Sequence, residues 1–404
     1  IKEEEMKYVV LVGDGMADYP LKELDNRTPL QVANTENLDF LATHGMIGQV
    51  KTIPEGMPKG SDVAILSVLG YDPCKCYTGR GPLEAHALGI NLAEDEIAFR
   101  CNLVTVKDGV LVDYSAGHIS TDEAKILIKD LDNKVQGLRS AVHGLRFYPG
   151  VSYRHIFTIN GDFEEVSCTP PHDITGKEFK GYLPNGMGSE ILREIMDNSI
   201  KLLDRHEINQ KREWEGKNPA NMVWLWGQGK APRLETFKQK FALDGAAISA
   251  VDLIKGIASF AGLDSISVPG TTGFYDTDYL AKARYALETI DRKDLVFVHV
   301  EAPDEAGHIG DIELKIKTIE DFDKKVVGTI LNNISGDYRV LAMSDHHTPI
   351  GVRTHTSDPV PFVIYGLGVK PDSAKSFDEP QAKGSSTYLS EGHKLMDLFI
   401  KGKY

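Results

Sequence analysis

The chain has 404 residues, 41% hydrophobic and 26% charged, the balance of an ordinary soluble globular protein long enough for two domains. No apolar run approaches the roughly 20 residues needed to cross a bilayer, and the acidic start, IKEEEMK, lacks a signal peptide's apolar stretch. A formal net charge of −14 argues against nucleic acid and anionic membranes, which call for basic patches. Any phosphate site must then be made locally positive by metals and a few placed Arg or Lys. Of the four cysteines, at 74, 76, 101 and 168, the first two are one residue apart, not the two of a zinc or thioredoxin motif. They read as reduced thiols, and a cytoplasmic protein is expected.

In chain order, residues 8–16, YVVLVGDGM, form an apolar strand that ends abruptly in Gly13-Asp14-Gly15. A polar, loop-like segment follows, and apolar spacing predicts a helix over 29–44. After a strand and loop come Lys59-Gly60-Ser61-Asp62 and then VAILSVLGY. Ser61 stands where a helix N-cap would stand, before an apolar stretch that ends at Gly70 and Pro73. A capping hydroxyl accounts for it. The same position places helix N–H groups and the positive dipole end beside the serine, and both stabilise a phosphoryl group.

The turn YTGRG at 77–81 reads as a crossing point into a segment of different character. Strand-like runs at 97–106, 110–112, 144–153 and 155–159 mix with helices near 121–131 and 189–205, and none of these strands ends in a carboxylate–histidine cluster. NMVWLWG, at 221–227, resumes the buried-strand style, and strand and helix alternate from there to Phe399, as in a parallel sheet. The expectation is an α/β domain of residues 1–81 and 219–404, with a smaller α+β domain, 82–218, inserted into it.

Residues 295–311, LVFVHVEAPDEAGHIGD, carry the densest chemistry. Positions 295–300 are β-branched and aromatic, with no polar interruption except His299, and read as a buried central strand. Glu301, Asp304, Glu305 and His308 follow. Asp304 and His308 are four apart, on one face of a helical turn, where they suit a divalent metal or a plain surface pair. A third strand, YRVLAMSDHHTP at 338–349, ends in Asp345, His346 and His347, and His355 follows in THTSDPVP. Open α/β sheets bind ligands outside the carboxyl ends of their strands, and three separated strands each deliver Asp or Asp/His there. This convergence favours a two-metal centre over three unrelated acidic loops. Three carboxylates with two divalent cations leave a slightly positive site, which attracts phosphate. Paired metals also lower a hydroxyl's pKa, which would let Ser61 attack phosphorus and become phosphoserine.

The set GDGM with Asp14, KGSD with Ser61, EAPDEAGH with Asp304 and His308, SDHH with Asp345 and His346, and THTSDPVP with His355 resembles the alkaline phosphatase superfamily. Within it the chain is most similar to the archaeal-type, cofactor-independent phosphoglycerate mutases. GRGPLEA, DYSAGHIS, NMVWLWGQGKAP and GAAISAVDLIKGI extend the likeness over nearly the whole chain. The resemblance implies a mostly parallel, alkaline-phosphatase-like sheet flanked by helices. It implies that Asp304, His308 and His355 hold one metal, and that Asp14, Asp345, His346 and the Ser61 oxygen hold the other, as manganese, magnesium or zinc. It also implies an isomerase of glycolysis and gluconeogenesis. Ser61 would take the phosphoryl group from 3-phosphoglycerate and return it to the 2-hydroxyl of the enclosed glycerate, without bisphosphoglycerate. The inserted domain would close and keep water from phosphoserine. The alternative is a phosphohydrolase or phosphotransferase with the same metals and serine, such as the homoserine kinase proposed for this branch. For the substrate's carboxylate end the candidates are Arg80, Arg100, Asn102, His118, Arg154, His155 and Lys255. Arg154 and Lys255 match the branch's pattern, whereas His118 stands where arginine is expected in many relatives. His172 and Asp173 in PPHD read first as a turn. His347 is expected either to support the ligands by hydrogen bonding or to face outward.

Overall fold

The structure, a computed structural model, describes residues 6–134 and 144–402. Its strands in chain order are β1 (Lys7–Gly13), β2 (Met46–Val50), β3 (Glu96–Lys107), β4 (Val110–Asp113), β5 (Arg146–Val151), β6 (Arg154–Asn160) and β7 (Met222–Gly229), followed by β8 (Gly245–Ile248), β9 (Asp264–Ser265), β10 (Leu295–Val300), β11 (Tyr338–Met343), β12 (Val360–Gly366) and β13 (Tyr388–Leu389). They fall into two compact units, residues 1–77 with 233–404, and residues 78–232.

The first unit holds an eight-stranded sheet in the order β13-β2-β12-β11-β1-β10-β8-β9. β8, β10, β1 and β11 run parallel, and β12 then reverses direction against both β11 and β2. Val9–Val12 of β1 and Val296–Val298 of β10 are buried, as continuous apolar runs must be when helices cover both faces of a sheet. Gly13 pairs with Val300, and Val12 with Met343. Asp14, Glu301 and Asp345 therefore leave the sheet abreast.

The helix expected over 29–44 is two, Pro29–Val32 and Glu36–His44. The second start is stabilised from outside. Asp323, in a π-helical turn, accepts from the Leu38 N–H at 2.7 Å and the Asn37 N–H at 3.3 Å, and this supplies the acceptor that a helix N-terminus needs.

The second unit is an antiparallel sheet in which β3 pairs with β4, β6 and β7, and β6 pairs with β5. Phe99, Cys101 and Leu103 of β3 and Phe157 and Ile159 of β6 point into a core closed by the helices Thr121–Lys134 and Ser189–Leu203. Arg100, Asn102 and Arg154 alternate to the opposite face. The boundaries differ from those expected. β7 does not resume the first sheet but pairs with β3 between Ala98 and Val104, and the chain returns to the first unit at 233 rather than 219. An apolar run predicts a buried strand, but the choice of sheet comes from the ladder and from the packing of Val223, Trp224 and Leu225 into the second core. Among the described residues no helix is long and apolar enough to cross a membrane.

One buried cation fastens two of the loops at the strand ends. Lys315, fully buried on the helix Ile312–Asp321, donates to Asp18 Oδ2 at 2.8 Å and to the Thr348 carbonyl at 2.8 Å. Burial lowers its pKa and Asp18 opposes that shift. Lys315→Met should leave Asp18 buried without a cation and cost about 3–5 kcal/mol, read as a lower urea midpoint. A loss below about 1 kcal/mol would mean that the Tyr19 and Ile350 N–H groups satisfy Asp18 alone.

Candidate metal centre

Asp14 follows β1 directly, and Asp345 follows β11 after one residue. Asp304 and His308 lie on the helix Ala302–Ile309, and His355 lies in the strap before β12. Gly15 permits their approach. It sits at φ 58°, and a Cβ there would come within 2.5 Å of Thr348 Oγ1 and 2.6 Å of Asp304 Oδ1, closer than any side chain allows.

His308 Nε2 lies 3.2 Å from Asp304 Oδ2 and 3.0 Å from His355 Nε2, and His355 Nε2 lies 3.3 Å from Asp304 Oδ1. Beside them, His346 Nε2 lies 3.4 Å from Asp14 Oδ1 and 3.5 Å from Asp345 Oδ2. One ligand atom from each of Asp304, His346 and His355 falls within 4.8 Å of the others, and the same holds for Asp14, Asp345 and His346. His346 thus stands between two groups, each able to hold an ion.

The donor set fits a cation on its own chemistry. Asp345 Oδ1 accepts from the Gly15 and His346 N–H groups at 3.1 and 2.9 Å, while Oδ2 is buried with no partner. Asp14 Oδ1 is likewise buried and partnerless. Two orphaned carboxylate oxygens facing one imidazole are costly unless positive charge lies among them. Accordingly Asp14 is held well above the ordinary carboxylate range, first by burial and then by repulsion from Asp345 and Asp304. Burial would raise Asp304 too, but His355 and His308 outweigh it and hold that carboxyl well below its usual range. Burial lowers His308, yet Asp304 overcomes this and pushes it up to about 9. His346 is pushed down to about 4 by burial, which leaves it neutral and able to bind a metal.

Ser61 is not the cap that its position suggested. Gly60 is the N-cap and Ser61 the first helical residue of Ser61–Val68. Its hydroxyl makes no capping bond and lies 3.0 Å from His346 Nε2. Lys255 is half-buried on the helix Asp252–Phe260, which packs against the Ser61 helix, and its Nζ lies 3.1 Å from Asp252 Oδ1. His347 is buried and donates to the Pro359 carbonyl at 3.1 Å.

The remaining candidates gather within the second unit along a chain of aromatic rings. The Arg100 and Arg80 guanidinium carbons lie 4.5 and 6.0 Å from the Trp226 ring, and Arg100 pairs with Glu84 at 3.1 Å. Trp226 Nε1 donates to Asn102 Oδ1 at 3.1 Å, and Asn102 donates to the Tyr114 carbonyl at 3.2 Å. His172, in the expected turn, packs on Trp226 and Tyr114. Tyr153 collects His118 at 5.9 Å and the Arg154 guanidinium at 5.7 Å. His118 has φ 48° and follows Ala116 at φ 49°, a strained pair whose loop is held by Arg212, which donates to the Ala116 carbonyl at 2.7 Å. His155 does not join them. It pairs with Cys101 on the core face, accepts from the Gly150 N–H at 2.9 Å, and is pushed down to about 3 by burial.

Several contributors escaped the sequence reading. Thr348 donates to Asp304 Oδ1, and Glu84, Tyr114, Tyr153 and Trp226 organise the cationic cluster. Only the aromatic residues of DYSAGHIS and NMVWLWGQGKAP could have signalled the latter.

Comparison with known proteins accords with this geometry. The profile of the 2,3-bisphosphoglycerate-independent phosphoglycerate mutase family matches residues 42–209. A protein of Methanosarcina acetivorans named for that activity is 51% identical over 401 residues, covering 98% of this chain and all of the relative. One of Geobacter sulfurreducens, named as a probable member, is 48% identical over 98% of this chain and all of its own length. A solved Pyrococcus horikoshii protein superposes with a TM-score of 0.82 at 32% identity, over 98% of this chain and 97% of that one. The cofactor-independent phosphoglycerate mutase of Thermoplasma acidophilum superposes with a TM-score of 0.65 at 27% identity, over 98% and 99% of the two chains. The chain therefore belongs to the 2,3-bisphosphoglycerate-independent phosphoglycerate mutase family and has the α/β fold of these solved relatives.

Proposed function

We propose that the chain interconverts 3-phosphoglycerate and 2-phosphoglycerate through phosphoserine at Ser61, at a site for two divalent cations and without bisphosphoglycerate. The observation that carries this is the Ser61 hydroxyl 3.0 Å from His346 Nε2, beside the orphaned Asp14 Oδ1 and Asp345 Oδ2. The names of relatives about half identical supply the substrate pair.

Asp304, His308 and His355 would hold one cation. Asp14, Asp345 and His346, with the Ser61 oxygen, would hold the other. Mixed carboxylate and imidazole donors suit manganese, magnesium or zinc. When bound, such ions supply the positive charge that draws phosphoryl oxygens and makes a nearby hydroxyl more acidic. The chain's own part is to aim Ser61 Oγ from a helix N-terminus, where backbone N–H groups and the dipole favour an arriving phosphoryl group. Ser61 Oγ attacks phosphorus as the P–O bond to the 3-oxygen of glycerate breaks, its proton going to that leaving oxygen. The 2-hydroxyl of the same glycerate then attacks the phosphoserine, and its proton returns to Ser61 as the P–Oγ bond breaks. Arg80, Arg100, His118 and Arg154 are assigned, with Lys255, to the substrate's anionic groups. The support is their charge and, in the second unit, the rings that hold them in place. Four free thiols agree with the cytoplasmic location that we assign.

Metal-loaded protein given 3-phosphoglycerate alone should form 2-phosphoglycerate with little free phosphate. Phosphate as the main product would make it a phosphohydrolase, and neither product would point to phosphotransfer, with ATP and homoserine the next pair to assay. Ser61→Ala should lower turnover by about 10³-fold or more while leaving metal binding largely intact, since three protein ligands of that cation remain. Retained turnover would exclude the covalent route. Chelation of the wild-type protein should abolish turnover, and added manganese should restore it. Activity that survives full metal removal would contradict the assignment.

A further inference from the structure

Behind Asp14, on the side away from His346, lies a buried array that none of the roles above uses. His299 of β10 pairs in register with Val12 of β1. Asp14 and Glu301 each lie two residues further on, so all three polar side chains share one face. His299 is completely buried. Its Nδ1 donates to Glu301 Oε1 at 3.2 Å, and its Nε2 has no hydrogen-bond partner but faces Asp14 Oδ2 at 3.3 Å.

Glu301 is itself fixed from three directions. Lys282, fully buried on the helix Tyr279–Ile290, donates to Glu301 Oε2 at 2.7 Å and to the His299 carbonyl at 2.7 Å. Ser249 Oγ and the Ala250 N–H, just after β8, donate to Glu301 Oε1 at 2.7 and 3.1 Å. The charges of Lys282 and Glu301 cancel, so the array adds no net repulsion beside the carboxylates. Its one open contact is the ring nitrogen turned toward Asp14. The two oxygens of Asp14 are thus divided, Oδ2 toward His299 and the orphaned Oδ1 toward His346.

We propose that His299, held by Glu301 and Lys282, is a positioning residue that sets the Asp14 carboxylate for the cation shared with Asp345 and His346. The inference rests on the two-cation reading above. The physical reason is rotational. A carboxylate with one free oxygen can swing about its Cβ–Cγ bond. The edge of a buried imidazole packed 3.3 Å from the other oxygen, itself held by Glu301, leaves that oxygen no room to turn and so fixes the plane in which the free one points. Residues that orient a metal ligand in this way change affinity by about 10–100-fold when removed.

The test uses the full chain stripped of metal and titrated with manganese(II). In an Asp304→Asn background, which isolates the site of Asp14, Asp345 and His346, adding His299→Leu should weaken manganese binding about 10–100-fold. His299→Gln, whose amide nitrogen reaches the Nε2 position, should recover most of that loss. In an Asp345→Asn background, which isolates the other site, His299→Leu should change affinity by less than about threefold. Equal weakening of both sites would assign His299 a merely structural role, and no weakening of either would remove it from the metal centre; each result overturns the proposal. Should His299→Leu fail to fold, Glu301→Gln, which keeps the acceptor for Ser249 and Ala250, must give a loss confined to the Asp14 site. A loss at both sites or at neither in that variant overturns the proposal equally. If the wild-type protein binds fewer than two manganese ions, the two-cation reading itself fails, and the variants are then not needed to see it.

Discussion

Repulsion among buried carboxylates at the end of the parallel strands is the constraint on which the rest of the first unit depends. The register of β1, β10 and β11 brings Asp14, Glu301 and Asp345 out abreast, and the helix after β10 adds Asp304. Charges at such spacing in a low-dielectric interior cannot stand without compensation. The molecule compensates each differently. Glu301 has Lys282, Asp304 has two histidines, and Asp18, nearby, has Lys315. Among the described carboxylates, Asp14 and Asp345 keep buried oxygens without a hydrogen-bond partner, both facing the one imidazole of His346. That asymmetry points to a cation, because Glu301, Asp304 and Asp18 each have a cationic or imidazole partner in hydrogen-bond reach and these two oxygens do not.

The orientation of Ser61, the nucleophile proposed above, differs from that of an ordinary helix-start serine. A capping serine turns its hydroxyl inward to the N–H groups of its own helix. Here Gly60 takes the cap position, and the Ser61 hydroxyl turns instead toward His346. One residue of displacement along the chain frees the hydroxyl from capping, and the backbone at Gly60 makes that displacement.

Much of this was legible in the sequence, and what was missed has a common cause. Asp14, Asp304, His308, Asp345, His346 and His355 could be picked out because each follows a strand that the apolar pattern defines, and the ends of parallel strands converge by geometry. β3 and β6 were legible as strand-like runs, but the placing of Arg100 and Arg154 on one face was not, because it depends on the register between the two strands. What pattern could not supply was partnership. β7 reads like any buried strand, so its pairing with β3 had to come from the structure. The capping of Glu36–His44 by Asp323, nearly 290 positions away, left no local trace, and a single helix was expected. His299 was visible as the one polar residue in its strand, yet its meaning lies in Lys282 and Ser249, on other elements.

The most direct test of the account is a crystal soaked in manganese and measured for anomalous scattering. Two peaks are predicted in the first unit. One should lie among Asp304, His308 and His355, and the other among Asp14, Asp345, His346 and the Ser61 oxygen. A single peak, or peaks that leave Asp14 Oδ1 and Asp345 Oδ2 without a cation, would contradict the central claim that these orphaned oxygens exist to hold one.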